Sequence, residues 1–126
     1  MYTVSMIRVF TSATQVLGEK GEDEAVLWLK KQGYKIVDRN VANKYGEIDI
    51  VAKKKGIVYF FEVKAGKSGS LFNPAENLTE AKIRKFLISV EHYVFLNRIK
   101  EYRVQGIVVL LGLKSEVVNI QILDLN

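Results

Sequence analysis

The sequence predicts an α/β fold, a mixed sheet flanked by helices in the order α-β-β-β-α-β-β. Three observations carry that reading. Helical stretches at about Thr14–Gln32 and Asn77–Arg98 bracket the middle of the chain, two strands between them are joined by a Lys-Gly turn signal, and a nearly continuous apolar run, Val104–Leu111, follows the second helix. Such a run suits a central strand buried on both faces. Strands and helices mixed in this order suit a layered α/β domain.

Each element has its own signal. Gly33 ends the first helix at a position where positive φ costs glycine nothing. Tyr34–Val41 is β-rich and Asn43–Gly46 turns the chain. Glu47–Lys53 and Ile57–Lys64 then form a hairpin across Lys55-Gly56. Ala65–Asn77 holds Gly66, Gly69, two serines and the only proline, Pro74, and reads as a long loop of the kind that usually carries function. The pair Asn77 and Glu80 resembles a capping box opening the second helix. Gly112–Glu116 is a turn, and the more polar Val117–Leu125 suits an edge strand.

At 126 residues the chain is sized for a single domain spanning 1–126, with residues 1–13 as an N-terminal extension. An apolar content of 48% against 26% charged, and a mean hydropathy of +0.05, exclude disorder as the main state. There is no apolar run long enough to span a bilayer, and Met1–Val16 lacks the basic and apolar regions of a secretory signal, so a cytoplasmic protein is expected. With no cysteine and His92 as the lone histidine, disulfide scaffolds, thiolate zinc sites, a cysteine nucleophile and His-rich metal sites are excluded. Any metal must be held mostly by oxygen. The net charge is +5, concentrated in the middle: Lys30–Lys100 holds 15 Lys and Arg against 7 Asp and Glu, the rest 4 against 7. That distribution suggests an anionic partner.

The hairpin carries the chemistry. A two-residue Lys55-Gly56 loop pairs Lys54 with Ile57, and the register continued along the strands sets Asp49 opposite Glu62. Two carboxylates directly across an antiparallel pair stand about 5 Å apart at Cβ, which is destabilising unless something positive lies between them. Glu62 and Lys64 share a face with Val58 and Phe60, and the other face carries Ile57, Tyr59, Phe61 and Val63. Both sides therefore read as buried, and buried charges need partners or metal. On the first helix, an arc gathering Leu17, Gly21, Ala25, Val26, Trp28 and Leu29 contains one charged residue, Glu22. Two readings stay open. Asp49, Glu62 and Lys64 form either a structural ion-pair cluster or, with Glu22, a site where carboxylate-held Mg²⁺ serves phosphodiester hydrolysis. A bulged three-residue turn would also shift the register by one.

Asp49, followed thirteen residues later by Glu62-Val63-Lys64, resembles the motif of the PD-(D/E)XK phosphodiesterase superfamily, whose restriction-endonuclease-like core runs α-β-β-β-α-β. More narrowly, Leu17-Gly18, Gly21-Glu22, Ala25, Leu29, Gly33-Tyr34, Asn40, the run from Gly46 to Ala52 and the run from Phe61 to Lys64 resemble the YraN-like family of bacterial proteins. Lys82 and the Pro74-Ala75-Glu76 loop extend the likeness over about Leu17–Val109. Glu47 belongs to the same family motif and by alternation lies on the Asp49 face. The superfamily resemblance reaches archaeal Holliday junction resolvases, whose helix glutamate, strand aspartate and Glu-x-Lys would carry over to Glu22, Asp49, Glu62 and Lys64. The chain departs from the family pattern at Gly66, where a basic residue is common, and at Gln105, where Arg103-Val104-Gln105 replaces an Arg-aromatic-Asp pattern.

The resemblance implies a nuclease dependent on Mg²⁺ or Mn²⁺ that cleaves DNA, branched or single-stranded. In it Glu22, Asp49, Glu62 and the Val63 carbonyl hold metal, and Lys64 orients water or stabilises the transition state. Phosphate contacts are expected from Lys67, Ser68, Lys82 and Lys85 in the basic segment. The competing expectation is a non-catalytic nucleic-acid-binding module on the same fold. The second helix carries one apolar arc through Leu78, Ile83, Phe86, Leu87, Val90, Tyr93 and Val94, and a second stripe of Ala81, Ile88, Phe95 and Ile99. That stripe calls for cover, either from the residues before Thr14 or from a second copy in a homodimer.

Overall fold

The computed structural model describes residues 13–69 and 78–126. The N-terminal extension, Ser70, the Pro74-Ala75-Glu76 segment and Asn77 lie outside the described residues. The elements are α1 (Ala13–Lys31), β1 (Lys35–Asn43), β2 (Gly46–Lys54), β3 (Ile57–Lys67), α2 (Glu80–Leu96), β4 (Tyr102–Leu111) and β5 (Val117–Asp124). The order is the one the sequence predicts. One five-stranded sheet runs β1-β2-β3-β4-β5, antiparallel throughout except where β3 and β4 run parallel. Parallel neighbours need a crossover, and α2 lies on it. None of the helices among the described residues is long and apolar enough to cross a membrane.

Local chemistry explains where the elements stop. Gly33, at φ +93, closes α1 with its N–H on the Lys30 carbonyl, while the Tyr34 N–H reaches the Leu29 carbonyl. These are the two bonds of a Schellman cap. Lys55 and Gly56 both have positive φ, +51 and +81, as a two-residue primed turn requires. The β2–β3 register follows from that turn, with Lys54 facing Ile57 and Ile50 facing Phe61.

The sheet is covered on both sides because apolar residues alternate. On one face Ala25, Val26 and Leu29 of α1 pack on Ile50, Phe61, Ile107, Val109 and Leu111. On the other, Phe86 and Val90 of α2 pack on Ile48, Val51, Phe60 and Val104. Neighbouring Phe60 and Phe61, both fully buried, belong to opposite cores. Burying each is worth about 1.5–3 kcal/mol.

Three expectations need correction. Ala65, Gly66 and Lys67 are strand rather than loop, because β4 pairs with β3 as far as Lys67 and Leu111. The cap of α2 is Thr79 rather than Asn77: its Oγ1 accepts the Lys82 N–H at 3.3 Å, three residues into the helix. The helix also stops at Leu96, short of Arg98, because Arg98 takes a positive φ of +52 and the Arg98 and Ile99 N–H groups turn back to the Phe95 and Val94 carbonyls. On the second stripe of α2, Ile88 and Phe95 stay exposed, Phe95 at 81%, whereas Ile99 packs inward against the α2-side core.

Candidate active site

The site forms where β2 and β3 part. Their ladder runs from Lys54 and Ile57 to Ile50 and Phe61, and Asp49 and Glu62 occupy the next position. There β3 stays with its parallel partner β4, Glu62 facing Gly106, and the Asp49 side chain takes over from the β2 backbone. Its Oδ2 accepts the Val63 N–H at 2.8 Å. The Asp49 side chain also stands within hydrogen-bonding reach of the Glu62 carboxyl. Burial first, then that contact and the charge of Glu62, push Asp49 from an ordinary 3.8 up to about 8, while the Val63 N–H and Lys64 pull the other way.

Glu22 joins from α1, the opposite side of the sheet from α2. The helix can approach because residue 21 is glycine: a methyl group there would land on the Ala65 Cβ of β3. That contact holds Glu22 near the end of the strand, where it is only 9% exposed. Burial, followed by the charge of Asp49, pushes Glu22 from 4.5 up to about 7, against the pull of Arg39. Arg39 Nη2 lies 3.3 Å from Glu22 Oε1 and 2.9 Å from Asp23 Oδ1. Beside it, Arg39 Nε and Asn40 Oδ1 are buried with no hydrogen-bond partner among the described residues.

Asp49 is thus the hub, coupled by charge to Glu22, Glu62 and Lys64. Of the four residues singled out from the sequence, Asp49 and Glu62 meet directly, whereas Glu22 and Lys64 reach Asp49 through charge. Glu62 and Lys64 also open onto a cavity of about 210 Å³, shared with Glu47, Lys82 and Lys85, between α2 and the tip of the β1–β2 hairpin. Glu47 lines the same cavity as Glu62. Lys67 and Ser68 do not line it; they lie exposed at the far end of β3, where the Ser68 N–H bonds the Leu111 carbonyl at 2.7 Å.

The donor set suits a hard divalent cation, since it is made of carboxylates and backbone with no sulfur or imidazole. Its arrangement is that of a pair plus a third. Asp49 and Glu62 meet directly, whereas Glu22 is engaged by Arg39, and among the described residues no three acidic or histidine side chains form a ready cage for an ion. Val63 enters the site through its amide, which fixes Asp49. The close approach of the two side chains is one that a proton on Asp49 relieves, a role a cation can take over.

These residues fall within one family match. The model of the Uncharacterised protein family UPF0102 matches residues 21–116. The chain belongs to the UPF0102 family. A UPF0102 protein of Helicobacter hepaticus is 40% identical over 84 residues, covering 67% of this chain and 74% of the relative. One from Caldicellulosiruptor saccharolyticus is 38% identical over 109 residues, covering 85% of this chain and 92% of the relative. A third, from Sulfurovum, is 42% identical over 81 residues, or 64% and 70%. The UPF0102 match spans Glu22, Asp49, Glu62, Lys64, Lys82 and Lys85.

Within this UPF0102 chain, sequence reasoning missed Arg39 and the hairpin tip. Arg39 could have been found by extending the second register: Asn43 faces Gly46 across Lys44-Tyr45, which sets Arg39 opposite Ile50, one residue from Asp49. The register holds from that turn through Asp38, and the bulge between Ile36 and Asp38 comes only after Arg39. At the tip, the fully buried Ser89 lies 2.9 Å from where a Cβ on Gly46 would stand, so the hairpin rests directly on α2.

Proposed function

We propose that this protein is a divalent-metal-dependent nuclease of the PD-(D/E)XK type, hydrolysing phosphodiester bonds in DNA, with branched or single-stranded DNA as its substrate. The observation that carries the reading is the pairing of Asp49 with Glu62 where β2 and β3 separate, with Glu22 and Lys64 in electrostatic reach of Asp49 and with Glu62 and Lys64 lining a cavity shared with Lys82 and Lys85. In it Asp49 and Glu62, joined by Glu22 and the Val63 carbonyl, would hold Mg²⁺ or Mn²⁺. Such an ion supplies Lewis-acid polarisation of the phosphate.

The chain's own residues do the rest. The Val63 N–H keeps Asp49 in place, and pre-set orientation of this kind is a large part of catalysis. Lys64 brings a fixed positive charge to the carboxylate pair, where it can orient the attacking water or offset charge building on the phosphoryl oxygens. Hydrolysis joins the water oxygen to phosphorus, breaks one ester P–O bond and delivers a proton to the leaving oxygen. Lys82 and Lys85 line the approach and take neighbouring phosphates, with Lys67 and Ser68 further along β3.

A second reading, a nucleic-acid-binding module without catalysis, draws on the Arg39 contact that occupies Glu22. Lys64→Ala separates the two. On the nuclease reading it lowers turnover by about 10²-fold or more and leaves DNA affinity nearly unchanged, because binding rests on phosphate contacts spread along the basic segment. Turnover equal to wild type would remove Lys64 from the chemistry.

A further inference from the structure

We propose that Tyr45 is a stacking platform for a single unpaired nucleotide, which enters the cavity between α2 and the β1–β2 hairpin with its phosphate on Lys82 and Lys85. This rests on the nuclease reading and names its substrate class. The first argument is size. At about 210 Å³ the cavity falls below the roughly 300 Å³ at which pockets for drug-sized ligands begin, which leaves room for one base rather than a stack of bases.

The second argument is chemistry. Tyr45 lines the cavity and is 41% exposed. Lys82 and Lys85 line the same space, are exposed, and form no ion pair among the described residues. Lys44 adds a cation 5.2 Å from the centre of the Tyr45 ring. A partly exposed aromatic residue beside lysines that outnumber Glu47 and Glu62 in the same cavity can meet the π face and the phosphate of a nucleotide. A base within a duplex has both faces covered by its neighbours, so the ring selects single-stranded, frayed or branched DNA.

The third argument is rigidity. Asn43 Oδ1 accepts the Tyr45 N–H at 2.9 Å, and Asn43 Nδ2 donates to the Ser89 carbonyl of α2 at 3.2 Å. The Tyr45 ring meets His92 of α2 edge-on at 5.4 Å between centroids. The hairpin tip is therefore pinned to the helix that carries Lys82 and Lys85, and little ordering is left for the ligand to drive. Glu62 and Lys64 line the same cavity, which places the bound nucleotide beside the proposed chemistry.

The test is equilibrium binding by the full chain, in EDTA, to a fluorescein-labelled oligothymidine and to a blunt duplex. Tyr45→Ala and Tyr45→Leu should each weaken binding of the single strand by about ten-fold or more, leave the duplex unchanged, and melt like the wild type. Tyr45→Phe should bind as the wild type does. Equal losses on both probes, no loss on the single strand, or a wild type that binds no single strand would overturn the proposal. Because no metal is present, the result is independent of cleavage. A selective Tyr45 effect in a protein that cuts nothing in Mg²⁺ would end the nuclease reading alone, and cleavage without a Tyr45 effect would end this inference alone.

Discussion

Replacing Asp49 by Asn tests what the carboxylate cluster holds when no cation is bound. Asp49 accepts the Val63 N–H, and its side chain stands within hydrogen-bonding reach of the Glu62 carboxyl. Asparagine can reproduce both bonds, its oxygen accepting and its NH₂ donating, so the variant is a permanent copy of the protonated state. The folded-state pKa of Asp49 is raised from 3.8 to about 8. Its contribution to stability is therefore complete below about pH 4 and is lost progressively up to about pH 8, at up to about 1.4 kcal/mol per pH unit. Glu22, raised from 4.5 to about 7, acts in the same direction over its own window. Metal-free wild type should thus lose stability from about pH 5 to pH 7, and Asp49→Asn should lose less, its slope shallower by up to about 1.4 kcal/mol per unit. With roughly 4 °C of melting temperature per kcal/mol for a domain of this size, the difference is readable in circular-dichroism melts recorded in EDTA across this range. An unchanged slope, or a variant less stable than wild type at pH 7, would refute the reasoning and favour an ionised Asp49 paired structurally with Lys64.

Three further outcomes follow from the same geometry. Glu62→Gln removes one of two facing charges at nearly constant volume, so the EDTA form should melt as high as wild type or higher, while the rise on adding Mg²⁺, about 2.7 kcal/mol at a hundredfold excess over Kd, should shrink. A structural ion-pair cluster predicts the reverse signs. Gly21→Val forces α1 away from Ala65 and should cost at least about 1–3 kcal/mol by overpacking, read as a fall in melting temperature. Lys82→Ala and Lys85→Ala should each reduce the slope of log K against log salt by about 0.7 on single strands and 0.9 on duplex; a slope unchanged in both would place the phosphates elsewhere.

What the sequence made legible was local. Lys55-Gly56 dictates its turn, the turn dictates the β2–β3 register, and the register brings Asp49 to Glu62. Glu22 was visible because one charge on an apolar helix arc needs a reason, and it proves buried among acidic and basic partners. Long-range pairing stayed out of reach. Nothing in Ala65-Gly66-Lys67 announces that β4 will hold it as strand, and Thr79 and Asn77 are both capping residue types, so spacing alone could not choose between them. Arg39 was hidden for a different reason. Its register follows from the Lys44-Tyr45 turn, but only the packing of α1 against the sheet brings the Arg39 guanidinium to Glu22 and Asp23.

The central claim is that the Glu22, Asp49, Glu62 and Lys64 cluster hydrolyses phosphodiester bonds with a divalent ion. The most direct measurement incubates purified protein with branched, nicked, single-stranded and duplex DNA in Mg²⁺ or Mn²⁺, alongside EDTA controls and Lys64→Ala prepared identically. The account predicts cleavage of branched or single-stranded DNA that EDTA abolishes and that Lys64→Ala lacks while still binding. No cleavage of any substrate in either ion at saturating protein, or cleavage by Lys64→Ala at the wild-type rate, would contradict it.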